Sequence, residues 1–226
     1  NNIAMNNTTV DPVTLSLSLK KLKKQKINDV ILEASSHGLD QNRLDGLLFD
    51  IGIFTNLSHD HLDYHKSLRL YLKSKLYLFD KLLKKNSSVI LDNKIPQYKA
   101  IKKICTKRKL NIISISDDKG NLQILSHKYL DNKQLIEIKY KKKIYNFETS
   151  LIGKIQIKNI LMAMVAAEKS NISFQQIVST IKKMKPVNGR LEKIGYLKNN
   201  SKVILDYAHT PDAIKVCLSN LKDQFK

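Results

Sequence analysis

The 226-residue chain has no tryptophan, two cysteines, four prolines and seven glycines, and each shortage excludes something. Cys105 and Cys217 lie far apart, with no metal-like spacing and no disulfide framework, which suits a reducing compartment and leaves neither as a site candidate. The glycines are scattered, so no glycine-rich phosphate loop ending in Gly-Lys-Thr occurs. No apolar run approaches the roughly 20 residues that cross a bilayer. The opening Asn-Asn-Ile-Ala-Met-Asn-Asn lacks the charged-then-apolar layout of a signal peptide. A cytoplasmic location without membrane contact is the default expectation.

Acidic residues are also few, 20 against 40 Lys and Arg, giving a formal charge of +20. Such an excess raises nucleic-acid binding as a hypothesis. The excess is mostly lysine scattered through an Ile-, Asn- and Lys-rich background, arginine is scarce, and no aromatic residues interleave with the basic runs. Solvated lysine faces are the commoner meaning of this pattern, so no nucleic-acid partner is expected.

With 42% hydrophobic residues, the chain can bury the core of one large or two modest domains. Short apolar runs alternating with helical patterns predict an α/β class with a largely parallel sheet. Strands are expected at Val30–Ala34, Ile51–Leu57, Ser88–Leu91 and Ile112–Ile115. A helix is expected over Ser67–Leu83, with an apolar stripe at 68, 72, 76, 79 and 83. Gln123–Ser126, Leu135–Tyr140 and Lys143–Thr149 predict an antiparallel β meander. Asn159–Lys169 predicts an apolar helix, and Ser173 caps another reaching about Met184. After the breaker Pro186-Val187-Asn188-Gly189 come a strand at Lys202–Asp206 and a helix at Pro211–Leu221, capped by Thr210, suggesting a new domain from about residue 196.

Ser58-His59-Asp60-His61-Leu62-Asp63-Tyr64-His65 packs three of the six histidines and two aspartates after an apolar run. Loops at the carboxyl ends of parallel strands are where α/β proteins place ligands, though polar residues also collect in ordinary loops. Glu33-Ala34-Ser35-Ser36-His37-Gly38 follows another apolar run. Its carboxylate could share a Mg²⁺ ion with the histidines or be an ordinary strand-end carboxylate, and the residues alone leave both open. Lys75 falls on or beside the expected stripe, where a lysine more often snorkels to the edge than serves chemistry.

Together these segments resemble the Mur ligase family, and its MurE branch most closely. The resemblance rests on Glu33-Ala34-Ser35-Ser36-His37-Gly38-Leu39 with Gln41 and Arg43, and on Phe54-Thr55-Asn56-Leu57 running into His59-Asp60-His61-Leu62-Asp63-Tyr64-His65. It continues through Lys75, Asn188-Gly189-Arg190-Leu191-Glu192 and Asp206-Tyr207-Ala208-His209-Thr210-Pro211. It is least specific between about 86 and 150. It implies the family's central ATPase-type domain over 1–195, mostly parallel sheet with helices and the meander, then the start of a Rossmann-like C-terminal domain over 196–226.

The resemblance also implies roles. Glu33, His61 and a carbamylated Lys75 would bind Mg²⁺, and Asn7, Thr8, Thr9, Ser35, Gln41 and Arg43 would hold the UDP-muramoyl dipeptide. Asn56, Gln156, Asn159, Arg190, Asp206 and His209 would serve ATP. The implied reaction joins a diamino acid, meso-diaminopimelate before L-lysine, to UDP-N-acetylmuramoyl-L-alanyl-D-glutamate through an acyl phosphate. A monomer is expected.

Val10 stands where the family has proline, and Gln156 where it has the first of two asparagines. The missing phosphate loop reads as a fragment without its N-terminal domain, phosphate loop and most of its C-terminal domain, and so inactive alone. Competing readings are MurF or a folylpolyglutamate synthetase within the class, a basic nucleic-acid module, and a zinc-dependent hydrolase. For the last, His59-x-His61-x-Asp63 with His65 approaches a ligand pattern, but Tyr64 interrupts it. The Ser35–Leu39 run favours the MurE branch.

Overall fold

A computed structural model describes residues 8–130 and 132–225. Six strands are hydrogen-bonded in the order β1-β2-β3-β4-β5-β6, and a separate antiparallel pair is formed by β7 and β8. The first three are β1 (Phe49–Phe54), β2 (Leu83–Asp92) and β3 (Asn111–Ser116); then come β4 (Leu122–Leu130), β5 (Lys133–Tyr140), β6 (Lys143–Thr149), β7 (Glu192–Tyr196) and β8 (Lys202–Leu205). The chain divides into two compact units.

The first unit comprises the described residues up to Gly52, His61–Val89 and Lys99–Ile112. Its helices are α1 (Pro12–Lys24), α2 (Ser36–Asp40), α3 (Leu62–His65), α4 (Leu68–Tyr77) and α5 (Tyr98–Arg108). Asp11 caps α1 by accepting the Thr14 N–H at 2.9 Å, Pro12 supplies the preset first φ, and Lys21, Lys23 and Lys24 meet the negative end of the helix dipole. Leu15, Leu39, Leu44 and Leu82 form a core cluster, with Leu19, Ala34, Phe49 and Tyr77 packed against it. A π turn at Leu78–Leu82 ends α4, burying Phe79 and Leu82, and β2 begins at Leu83.

In this unit one expectation fails and another, the apolar stripe, holds only at Phe79 and Leu83. Residues 27–35 join no strand among the described residues, and Ile31 is 99% exposed. Apolar composition alone does not make a strand, which needs a neighbouring backbone to complete its ladder. The buried face of α4 passes through Tyr71 and Ser74, whereas Leu68, Leu72 and Leu76 are only half-buried. Lys75 therefore sits beside the buried face.

The second unit comprises Ile53–Asp60, Ile90–Tyr98 and the described residues from Ile113 onward. Here β3 pairs in parallel with β4, while β4, β5 and β6 form the expected antiparallel meander with Ile138 opposite both Ile124 and Tyr145. Helix α6 (Lys154–Lys169) buries Ile157, Ile160, Leu161, Met162, Met164 and Val165. Each such side chain contributes about 1.5–3 kcal/mol relative to exposure. The carboxylate of Asp92, at the end of β2, is buried but pairs with Lys158 of α6 and accepts the Lys94 N–H at 2.8 Å, so its charge is compensated. Ser173 caps α7 (Phe174–Thr180), which passes into a 3₁₀ turn at Ile181–Lys183. Thr210 caps α8 (Pro211–Gln224). The β7–β8 pair begins at Glu192, ahead of the expected domain boundary. No helix among the described residues is long and apolar enough to cross a membrane.

Candidate active site

In the first unit, the site starts from the cap of a short helix. Ser35 adopts extended backbone and its Oγ accepts the Gly38 N–H at 3.1 Å, opening α2. Thr9, 4% exposed, locks this corner: its Oγ1 donates to the Glu33 carbonyl at 2.8 Å and accepts from the Ser35 N–H at 2.9 Å. Ser35 Oγ lies 2.9 Å from Thr9 Oγ1; since Thr9 spends its single proton on the carbonyl, the serine hydroxyl donates across that gap. Thr9 and Ser35 thus stand together, with Thr8 exposed beside them. Asn7 lies outside the described residues.

Gln41 and Arg43 join the same corner. Arg43 Nη1 donates to the Thr9 carbonyl at 2.7 Å, and its Nε donates to Gln41 Oε1 at 2.9 Å. Gln41 Nε2 donates to the Tyr64 hydroxyl at 3.1 Å, which donates to Asp40 Oδ2 at 3.0 Å. Ser74 Oγ donates to Asp40 Oδ1 at 2.8 Å, the main reason this carboxyl titrates below its usual range.

Next to this chain lies a group of rings. His61, in left-handed backbone (φ 54°) at the start of α3, meets His37 edge-on with centroids 5.0 Å apart and Tyr71 at 5.8 Å. Lys75 Nζ lies 5.3 Å from the centre of that same Tyr71 ring, so His61 and Lys75 border one buried tyrosine. His65 stacks on Tyr71 at 5.0 Å, and its Nε2 is 2.9 Å from Ser36 Oγ. Burial pushes the His65 pKa down, favouring the neutral ring. Glu33 is exposed on the segment entering α2. Among the described residues no three His, Cys, Asp or Glu side chains converge as a ready-made cage.

In the second unit a different constellation gathers. Gln156 Nε2 donates to the Arg190 carbonyl at 3.3 Å, and Asn159, one helical turn on, is exposed. The Asp206 carboxylate accepts the Leu191 N–H at 2.8 Å and the Ala208 N–H at 2.9 Å, while Tyr207 N–H donates to the Gly189 carbonyl at 2.8 Å. These bonds clamp the Gly189-Arg190-Leu191 turn. The Arg190 guanidinium sits 5.2 Å from the Tyr207 ring, and that ring lies 5.0 Å from His209. Asn56 is exposed after β1. His59 Nδ1 lies 3.0 Å from Asp212 Oδ2, an exposed contact that lowers the Asp212 pKa.

Sequence reasoning missed Tyr71, Tyr64, Asp40, Ser74, Tyr207 and Asp212. Tyr64 and Tyr207 lay inside quoted motifs without being singled out, and Asp212 directly follows one.

The Mur ligase middle domain family matches residues 2–167. A curated relative from Rickettsia bellii (strain RML369-C), named UDP-N-acetylmuramoyl-L-alanyl-D-glutamate--2,6-diaminopimelate ligase, is 36% identical over 216 residues, covering 96% of this chain and 44% of the relative. A solved structure of the same enzyme name superposes with a TM-score of 0.80 at 29% identity, covering 95% of this chain and 44% of that one. A MurF ligase from Thermotoga maritima in complex with ADP shares the fold, with a TM-score of 0.66 at 15% identity, covering 78% of this chain and 40% of that one. The chain thus spans less than half the length of these proteins.

Proposed function

The chain belongs to the Mur ligase family through its middle domain, and from that premise we propose that it is the Mg²⁺-binding and substrate-binding portion of a MurE-type ligase. The proposed enzyme forms an amide bond between meso-diaminopimelate, in preference to L-lysine, and UDP-N-acetylmuramoyl-L-alanyl-D-glutamate in peptidoglycan synthesis. The domain division proposed is a central domain over 1–195 and the start of a C-terminal domain over 196–226. The phosphate loop and the determinant of amino-acid choice are assigned to the part of the relatives' length that this chain does not span. The enzyme is proposed to work as a cytoplasmic monomer on soluble substrates, without nucleic acid or membrane.

The D-glutamate carboxylate oxygen attacks the γ-phosphorus of ATP, the bond to the β-phosphate oxygen breaks, and ADP leaves. The amine of the diamino acid then attacks the acyl carbon, inorganic phosphate departs, and the nitrogen sheds a proton. Both steps concentrate negative charge, so the protein's task is positioning and charge neutralisation. Thr8, Thr9, Ser35, Gln41 and Arg43 would orient the muramoyl dipeptide, and Asn7 is assigned with them. Arg190 would meet the γ-phosphate, with Asp206 holding its turn. Asn56, Gln156, Asn159 and His209 would face the rest of the nucleotide.

The donor set suits a hard dication. Carboxylate, imidazole and carbamate groups leave room for the waters and phosphate oxygens that complete the coordination of Mg²⁺. Glu33, His61 and Lys75 as its carbamate would hold the ion, which when bound offsets charge on the transferring phosphoryl group. Carbamylation replaces an ammonium that repels a cation by an anion that attracts it.

One observation carries this reading: His61 at the start of α3 and Lys75 on α4 border the same buried Tyr71 ring. The test is the full reading frame, purified and assayed for ATP-dependent joining of diaminopimelate to UDP-N-acetylmuramoyl-L-alanyl-D-glutamate. ADP release that requires both substrates and Mg²⁺, and that is lost in Lys75→Ala, is the expected result. An upstream frame without a Gly-Lys-Thr loop, or no amide product, would overturn it.

A further inference from the structure

The bonds around Gln41 have a direction, and the direction originates at Asp40. An ionised carboxylate can only accept hydrogen bonds, so the Tyr64 hydroxyl, 3.0 Å from Asp40 Oδ2, spends its one proton there. The phenol oxygen then has only lone pairs to offer, so the end of Gln41 that approaches it at 3.1 Å must be the NH₂ group. That orientation turns Gln41 Oε1 toward Arg43, whose Nε donates to it at 2.9 Å and whose Nη2 donates at 2.5 Å. The flipped amide would set oxygen against the phenol oxygen and NH₂ against a guanidinium that can only donate. Asp40, through Tyr64, and Arg43 therefore turn the same amide the same way from its two ends.

The far ends of this chain are anchored. Ser74, 6% exposed, donates to Asp40 Oδ1 at 2.8 Å, and Arg43 Nη1 donates to the carbonyl of the buried Thr9 at 2.7 Å. Among the described residues, these bonds leave N–H groups on Gln41 and on both terminal nitrogens of Arg43 without an acceptor. A forked set of donors on a planar guanidinium matches a carboxylate or phosphate oxygen pair. Ser74 also precedes Lys75 on α4, so the anchor of this chain and the proposed ion ligand ride on the same helix.

We propose that Asp40 and Tyr64 are positioning residues that aim Gln41 and Arg43 at the acidic muramoyl substrate, without touching it themselves. This rests on the functional reading above.

The experiment is calorimetric titration of the full-length protein with UDP-N-acetylmuramoyl-L-alanyl-D-glutamate and, separately, with a non-hydrolysable ATP analogue. Tyr64→Phe keeps the ring but removes both hydrogen bonds. It is expected to weaken muramoyl-nucleotide binding about tenfold while leaving affinity for the ATP analogue unchanged. Added to Gln41→Ala, Tyr64→Phe should cost almost nothing more, because the two act through one contact. Asp40→Asn, which keeps an acceptor oxygen for Tyr64, should bind better than Asp40→Ala; it also serves if the tyrosine variant proves unstable on melting. Tyr64→Phe binding within twofold of wild type, equal weakening toward both ligands, or full additivity with Gln41→Ala would overturn the proposal. A wild-type protein that fails to bind the muramoyl nucleotide would instead remove the functional reading, and this proposal with it.

Discussion

Gly38 lies so close to Thr9 that a methyl group added to its Cα would sit 2.6 Å from both Cβ and Cγ2 of the threonine. The approach lets the first turn of α2 press against the Thr9 side chain while Ser35 and Glu33 hydrogen-bond to its hydroxyl. Thr9 is 4% exposed and held at its hydroxyl and its carbonyl, so it has little room to step aside. Gly38→Ala is expected to destabilise the protein by about 1–3 kcal/mol, the usual cost of an extra carbon in a filled site. Urea denaturation checks this; a loss below about 0.5 kcal/mol would mean that the corner yields easily.

Asp206 is a second place where one side chain holds a turn. Its two oxygens accept the Leu191 and Ala208 N–H groups, bridging the Gly189-Arg190-Leu191 turn and the segment after β8. Asp206→Ala leaves those donors without their acceptors and should cost about 1–3 kcal/mol if they stay buried. Arg190 should lose its fixed approach to the Tyr207 ring. Proteolysis of this chain should then cut near residue 190 faster than in wild type, and an unchanged cleavage rate would argue that the turn stands without Asp206.

These relationships mark where reading the sequence stopped. The meander, α6, α7 and α8 were legible because period-2 and period-3.6 apolar patterns and the capping residues Ser173 and Thr210 are local signals. Helices α1 and α5 went unread although Asp11-Pro12 is a start signal, since their lysines blur the apolar stripe. Val30–Ala34 looked like a strand because composition says nothing about a pairing partner. The candidate site residues stood in recognisable motifs. Their fixings did not, because Asp40 meets Ser74 across 34 residues and His59 meets Asp212 across 153. Such contacts belong to the fold, and no spacing rule reaches them.

His127, in the second unit, gives a pH dependence of stability. Gln134 is fully buried, and its Nε2 donates to the Leu151 carbonyl at 2.5 Å, so its Oε1 is turned to accept from His127 Nε2 at 2.7 Å. Burial is the main cause of a lowered His127 pKa. The unfolded chain then binds this proton more readily than the folded one. The neutral-ring contribution is complete above the unfolded value of about 6.5 and declines as pH falls below it, until the folded pKa is passed. Urea denaturation from pH 8 down to pH 5 should show wild type losing more stability than His127→Gln. Parallel losses in the two proteins would show that other groups govern the acid response.

The proposed carbamate on Lys75 has a direct spectroscopic consequence. Lys75 and His61 flank Tyr71, and a bare ammonium there would oppose a divalent cation, whereas its adduct with carbon dioxide would offer two anionic oxygens. Full-length protein equilibrated with ¹³C-bicarbonate and Mg²⁺ should show one carbamate carbon resonance that is absent from Lys75→Arg. Acidification should abolish the signal and the ligase activity together, since a protonated carbamate loses carbon dioxide. Tyr71→Leu should preserve Lys75 but remove the ring it shares with His61, weakening Mg²⁺ dependence by about tenfold, as loss of groups that orient metal ligands usually does. Full activity after bicarbonate is stripped from the protein, with no resonance in the wild type, would leave Lys75 as an ordinary cation and require another residue to complete the ion's anionic shell.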